Sequence, residues 1–175
     1  MDLLSARRAA AEEPATIAVT DLYAEHALGL TRLAQVMLGD RGAAEDVVHD
    51  AFCGLYRHWS HLADTAKAPS YLRSSVLNGC RSVLRRAGRA PVLDVRDATV
   101  PDSESAVLAS LARQEVLAAL RRLPDRQREA LVLRYYLDLR DSEIATAMGV
   151  REGSVRSAAH RGLAALERIL GEEWL

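Results

Sequence analysis

The chain is 175 residues long, 49% apolar and 27% charged, enough apolar material for one large folded domain or two small ones. Its 23 basic and 24 acidic residues leave a formal net charge of −1, which excludes a uniformly basic coat that binds any polyanion by charge alone. Two cysteines, Cys53 and Cys80, are too few for a disulfide framework, and no apolar run approaches the roughly 20 residues that span a bilayer.

The first twenty residues carry Arg7, Arg8, Glu12, Glu13 and Pro14 and have no continuous apolar core. They do not read as a secretory signal, and the expected location is the cytoplasm. Residues 1–16 are taken as an N-terminal extension. Lys67 is the only lysine, so nearly all positive charge is arginine. Alanine and leucine are abundant, aromatic residues make up 5%, and β-branched residues never alternate over a strand length. Strong helix formers in that proportion predict an all-α protein.

The first clear helix is expected from Asp21 to Leu38. There Tyr23, Ala27, Leu30, Ala34 and Met37 recur at three- and four-residue steps. Gly39-Asp40-Arg41-Gly42 ends it. The second helix has the cleanest pattern. Ala44, Val47, Val48, Ala51, Phe52, Leu55, Tyr56 and Trp59 form one face; Glu45, Asp46, His49, Asp50, Cys53, Arg57 and His58 form the other. A loop follows from Ser60 to Ala68. A third helix begins near Pro69, a residue suited to a first turn. Its apolar stripe is Leu72, Val76, Gly79, Cys80 and Val83, with Arg73, Leu77, Asn78, Arg81 and Arg85 facing the other way. From Tyr71 to Arg89 there are five arginines and no acid, although the whole chain is nearly neutral.

From Ala90 to Ser103 the residues Pro91, Asp94, Asp97, Pro101 and Asp102 break any helical period, and Glu104 extends the acidic character. This reads as a flexible acidic linker between two small helical domains. The expected division is 17–89, linker 90–104, and 105–175. The second domain holds helices from Ser105 to Arg122, from Pro124-Asp125 to Tyr136, from Asp141 to Met148, and from Glu152 to Leu170.

Asp141 to Ala159 fits a helix-turn-helix. Ile144, Met148, Val150 and Val155 fill the apolar slots, Ala145 is small where the helices meet, and Gly149 suits the left-handed stop. Asp141 or Ser142 is expected to cap the first helix and Ser154 the second. On the last helix Val155, Ala158, Ala159, Gly162, Leu163, Leu166 and Leu170 are expected inside; Arg156, Ser157, His160, Arg161 and Arg168 face out. A helix fits the DNA major groove, where arginine can grip guanine with two hydrogen bonds. A plain helical hairpin with solvated arginines is the alternative.

Two segments together resemble a known family. Ala44-Glu45-Asp46-Val47-Val48-His49-Asp50-Ala51-Phe52, with Tyr56-Arg57-His58-Trp59, resembles the second region of bacterial sigma factors. Leu123-Pro124-Asp125-Arg126-Gln127-Arg128-Glu129-Ala130, with Glu143-Ile144-Ala145 and Gly149 to Ser157, resembles their fourth region. Their order and the short linker are similar to the extracytoplasmic-function class, over about residues 17–170. The resemblance implies an alternative sigma factor that binds RNA polymerase core, recognises the promoter −10 and −35 elements and promotes DNA opening. It implies a region 2-like bundle of three or four helices and a region 4-like helix-turn-helix domain, with no cofactor and no catalytic residue.

The resemblance also implies site residues. Asp46, His49 and Asp50 would meet the clamp helices of the polymerase's largest subunit. Asn78 would read an exposed base of the −10 strand. Lys67, Arg73, Arg81, Arg85 and Arg86 would hold its phosphates, and the loop from Leu62 to Ala68 would cup a base out of the stack. Arg156, Ser157, His160 and Arg161 would read the −35 duplex. Ala158 and Leu163 stand where many relatives are basic. Leu131 and Leu133 are possible contacts to the flap of the second subunit, and equally good core residues. Phe52 reads as core. An anti-sigma factor is a plausible further partner; a membrane is not.

Three other readings remain, one of them a helical adaptor with no DNA role. A free-standing helix-turn-helix repressor would act without polymerase and needs a dimer face. A metal enzyme would use His49 and Cys53, four residues apart, with His58 and His61 following, but no further ligand completes a set.

Overall fold

The computed structural model describes residues 3–87 and 114–172. Every element among them is helical: α1 (Leu3–Leu38), α2 (Arg41–His58), α3 (Ala68–Arg86), α4 (114–122), α5 (Asp125–Tyr135), α6 (Asp141–Met148) and α7 (Glu152–Glu172). The expected linker, and the expected helix start at Ser105, lie outside the described residues.

α1, α2 and α3 form the first unit, packed pairwise around Leu30, Leu33, Ala34, Met37, Val48, Leu55, Leu72 and Val76. The α1–α2 turn follows from local chemistry. Gly39 takes a left-handed φ of 77°, which spares any side chain a steric penalty. Asp40 then caps α2, its Oδ1 accepting from the Ala43 amide at 2.6 Å. The apolar stripe expected on α2 is buried from Ala44 to Leu55, whereas Tyr56 is exposed. The Tyr23 ring meets Phe52 edge-on, with centroids 4.9 Å apart. Phe52 is therefore core, as its place on the apolar face predicts. Gly79 lets α3 approach α2 closely: a Cβ there would stand 2.7 Å from Cγ1 of Val47.

α1 begins well before Asp21. Thr16, Ile17 and Thr20 are exposed and are weak helix formers, but Ala15 is buried and Val19 packs against the core, so burial on one side anchors this extension. The Ser60–Ala68 loop contains two short 3₁₀ turns, Trp59–His61 and Thr65–Lys67. Asp64 organises the second, its side chain accepting from the Ala66 amide at 3.0 Å.

In the second unit α5 is the central helix. Arg128 to Leu133 are all buried, so it has no solvent face over that stretch. Leu131 and Leu133 belong to this core, the second of the two readings left open for them. α7 packs across α5, where Gly162 admits Leu131; a Cβ there would lie 3.1 Å away.

The two units pack against each other: α3 meets α6, and α1 meets α5. This has a consequence for Leu77, expected on the outward face of α3. It is fully buried, because α3 is covered on a second side by the other unit.

Candidate nucleic-acid interface

α6 and α7 form the helix-turn-helix at the expected residues. Ile144, Ala145, Met148, Val155, Ala158 and Ala159 are buried where the two helices meet. Gly149 has φ +66°, and its amide and that of Val150 donate to Thr146 and Ala145 carbonyls at 3.3 and 3.0 Å. Those two bonds close the end of α6 and set the turn. The caps differ from expectation. Arg140 occupies the cap position of α6, and the Glu143 carboxylate accepts its backbone amide at 3.1 Å. Asp141 instead pairs with Arg134. α7 starts at Glu152, so Ser154 lies within its first turn and caps nothing.

The outer face of α7 presents Arg156, Ser157, His160, Arg161 and Arg168, all exposed. Arg156 is held loosely by Asp141 at 3.9 Å. Ala158 is buried, so it offers DNA no contact. Leu163, expected inside, is 37% exposed and lines a cleft of about 1150 Å³ between the units. Ile169 takes the inward place that the sequence pattern did not assign to it.

On α2 the outer face carries Asp46, His49 and Asp50, all exposed and one turn apart. The Cys53 sulfur lies 3.4 Å from His49 Nε2. Among the described residues no group of three or more His, Cys, Asp or Glu side chains could share a metal ion.

The basic helix α3 is less open than its composition suggests. Arg85 and Arg86 are exposed, as is Asn78, whose Oδ1 accepts from Arg81 Nη1 at 2.9 Å. Lys67 reaches out beside Asp64 at 3.7 Å. Arg81 and Arg73 are engaged by the second unit. Arg81 lays Nε and Nη2 on the two carboxylate oxygens of Glu129 at 2.6 and 2.5 Å. Glu129 is fully buried, and its hydrogen bond raises the Arg81 pKa above the ordinary guanidinium value against the opposing effect of burial. Arg73 Nη2 lies 3.7 Å from Glu143 Oε1. Cys80, also fully buried, has its thiol pushed up to about 12, first by burial and then by the charge of Glu129. Glu129 was missed from sequence. The signal was the apolar run Ala130 to Leu133, which marks a helix buried all round and so buries its neighbours too.

A helical bundle with an arginine-rich third helix, followed by a helix-turn-helix unit, defines a DNA-binding transcription protein built from two modules. Comparison with known proteins narrows this. The model of sigma-70 region 2 matches residues 22–90, and that of sigma-70 region 4 matches residues 113–166. The chain is 33% identical over 155 residues to the ECF RNA polymerase sigma factor SigM of Mycobacterium tuberculosis, covering 88% of this chain and 78% of that protein. It is 33% identical over 158 residues to SigL of the same species, covering 86% and 88%. Against the RNA polymerase sigma-E factor of Streptomyces avermitilis, identity is 32% over 144 residues, covering 81% and 78%. Its fold is similar to that of CnrH, solved in complex with the cytosolic domain of CnrY (TM-score 0.68, 22% identity, 92% and 97% of the two chains). It is also similar to RpoE of Bartonella quintana, solved with the anti-sigma factor NepR (TM-score 0.66, 21% identity, 86% and 97%). The chain therefore belongs to the extracytoplasmic-function class of RNA polymerase sigma factors. As such it is an alternative sigma factor, which binds RNA polymerase core, recognises promoter DNA and promotes its opening for transcription initiation.

Proposed function

We propose that three polar surfaces divide the work of initiation. Asp46, His49 and Asp50 on α2 dock on the clamp helices of the polymerase's largest subunit. Two carboxylates a turn apart suit an arginine-bearing surface, because bidentate carboxylate–guanidinium bonds are strong and directional. Lys67, Arg73, Asn78, Arg81, Arg85 and Arg86 hold the −10 element as a single strand, arginines on phosphates and the asparagine amide on a base edge. Arg156, Ser157, His160 and Arg161 enter the major groove at the −35 element. The division into residues 17–89, 90–104 and 105–175 follows the same plan. The chain carries no catalytic residue of its own; the polymerase performs the chemistry, in the cytoplasm.

The observation that carries this reading is the presence of both sigma regions, in order, on one chain whose helix-turn-helix exposes a polar, arginine-bearing face. Nothing favours the free-standing repressor. An anti-sigma factor is the natural regulator. The cleft walled by Val36, Leu117, Leu120 and Leu166 is apolar enough for one of its helices. At its edge Arg121 has a buried Nε and Nη1 without hydrogen-bond partners, which suits an acidic side chain.

The test is run-off transcription with purified core, the chain and promoter fragments taken from start sites mapped with and without the gene. Core-dependent open complexes are expected. Tight duplex binding by the chain alone, unaffected by core, contradicts the proposal.

A further inference from the structure

We infer that this sigma factor, away from polymerase, is held closed by its own carboxylates, with Glu129 and Glu143 of the second unit occupying the arginines of α3 that the −10 strand needs. The inference rests on the assignment of α3 to that strand. Residues 73, 77 and 81 lie four apart, so they form one row along α3. In the closed arrangement the whole row is taken. Arg81 is bound in bidentate fashion by Glu129, Leu77 is fully buried, and Arg73 faces Glu143. Arg73 Nε is buried without a hydrogen-bond partner, so closure satisfies the row only in part.

The geometry of the Arg81–Glu129 pair matters. Two parallel N–H···O bonds from one guanidinium edge are the same set that a phosphate would accept. Glu129 thus stands in for the DNA backbone at Arg81, and strand and carboxylate cannot be bound together. The two states are mutually exclusive. Whatever separates the units raises the affinity for the strand, and the strand in turn favours separation. Polymerase supplies the separation if its surfaces hold α2 and the second unit apart. Burial makes the contact a switch rather than a loose surface pair. Glu129 is fully enclosed, so removing its charge weakens closure, whereas salt screens such a buried pair much less than an exposed one.

The test uses the full chain and two variants. Glu129→Gln keeps the shape of the side chain and removes its charge; Glu143→Gln acts at the more exposed end of the row. Size is followed by small-angle X-ray scattering, folding by circular dichroism, and strand affinity by anisotropy of a fluorescein-labelled oligo(dT) single strand. Glu129→Gln should be more expanded and bind the strand about tenfold more tightly. Glu143→Gln should show about a threefold gain. Adding Arg81→Ala to Glu129→Gln should remove most of the gain while leaving the chain expanded. Folded variants that stay as compact as the parent and bind no more tightly overturn the inference. If Glu129→Gln does not fold, Glu143→Gln decides by the same two readouts. Core-dependent transcription is scored separately. Expansion without transcription by the parent would refute the promoter role but not the closed state; normal transcription with no response in size or affinity would refute only the closed state.

Discussion

Replacing Gly79 by alanine should drive α2 and α3 apart. Alanine normally stabilises a helix interior by about 1 kcal/mol over glycine. Here the added methyl carbon would lie 2.7 Å from Val47 Cγ1. Carbon atoms normally rest about 3.5–4.0 Å apart, so the contact is about 1 Å too short. Val47 cannot swing aside cheaply, because a β-branched side chain in a helix has one strongly preferred rotamer. Overpacking of this kind costs about 1–3 kcal/mol, which outweighs the propensity gain and leaves a net loss of about 1 kcal/mol. In urea, with a slope of about 1–3 kcal/mol per molar, the midpoint should fall by roughly 0.5 M. The decisive measurement is a double-mutant cycle with Val47→Ala. That change alone should cost about 1.5 kcal/mol for two lost methyl groups. In its presence Gly79→Ala should become stabilising, giving a coupling of about 1–2 kcal/mol. If Gly79→Ala stabilises the parent protein as much as the Val47→Ala background, the close approach of α2 and α3 is not what fixes glycine at 79.

Other outcomes follow from the same structure. Gly149→Ala meets no atom within 4 Å, so its cost is the left-handed backbone alone, about 1–2 kcal/mol, readable as a lower melting temperature. Asp40→Ala removes the cap of α2 and should cost about 1 kcal/mol in a urea titration, with Asp40→Asn recovering most of it. Cys80 is raised from 9.0 in the unfolded chain to about 12 when folded. Its protonated form is therefore favoured by folding, and that stability is complete below pH 9 and declines as pH rises toward 12. The slope should reach at most about 1.4 kcal/mol per pH unit and be absent from the stability curve of Cys80→Ala. Arg156→Ala and Arg161→Ala should each weaken binding of polymerase holoenzyme to −35 duplex. A residue that contacts only phosphate should lower the salt slope by about 1, and one that reads a base should relax sequence preference at one position.

Much of this protein is legible in its sequence because helices reveal their buried faces by period. The stripe from Ala44 to Leu55, the bounds of α6 and the left-handed Gly149 all follow from local spacing and backbone sterics. The surface residues Asp46, His49, Asp50, Arg156, Ser157, His160 and Arg161 were found for the same reason, being polar residues opposite an apolar stripe. Tertiary structure alone decided where that logic stops. Leu77 reads as outward within α3, yet it is fully buried, because the element that covers it comes from the other half of the chain. Arg81 reads as a free cation until Glu129, 48 residues away in sequence, closes on it. Leu163 reads as inward but borders the cleft between the units. Periodicity records which face of a helix avoids water, not which distant segment meets it. Pairings across the two units are set by how whole helices pack, and no short window of sequence contains both partners.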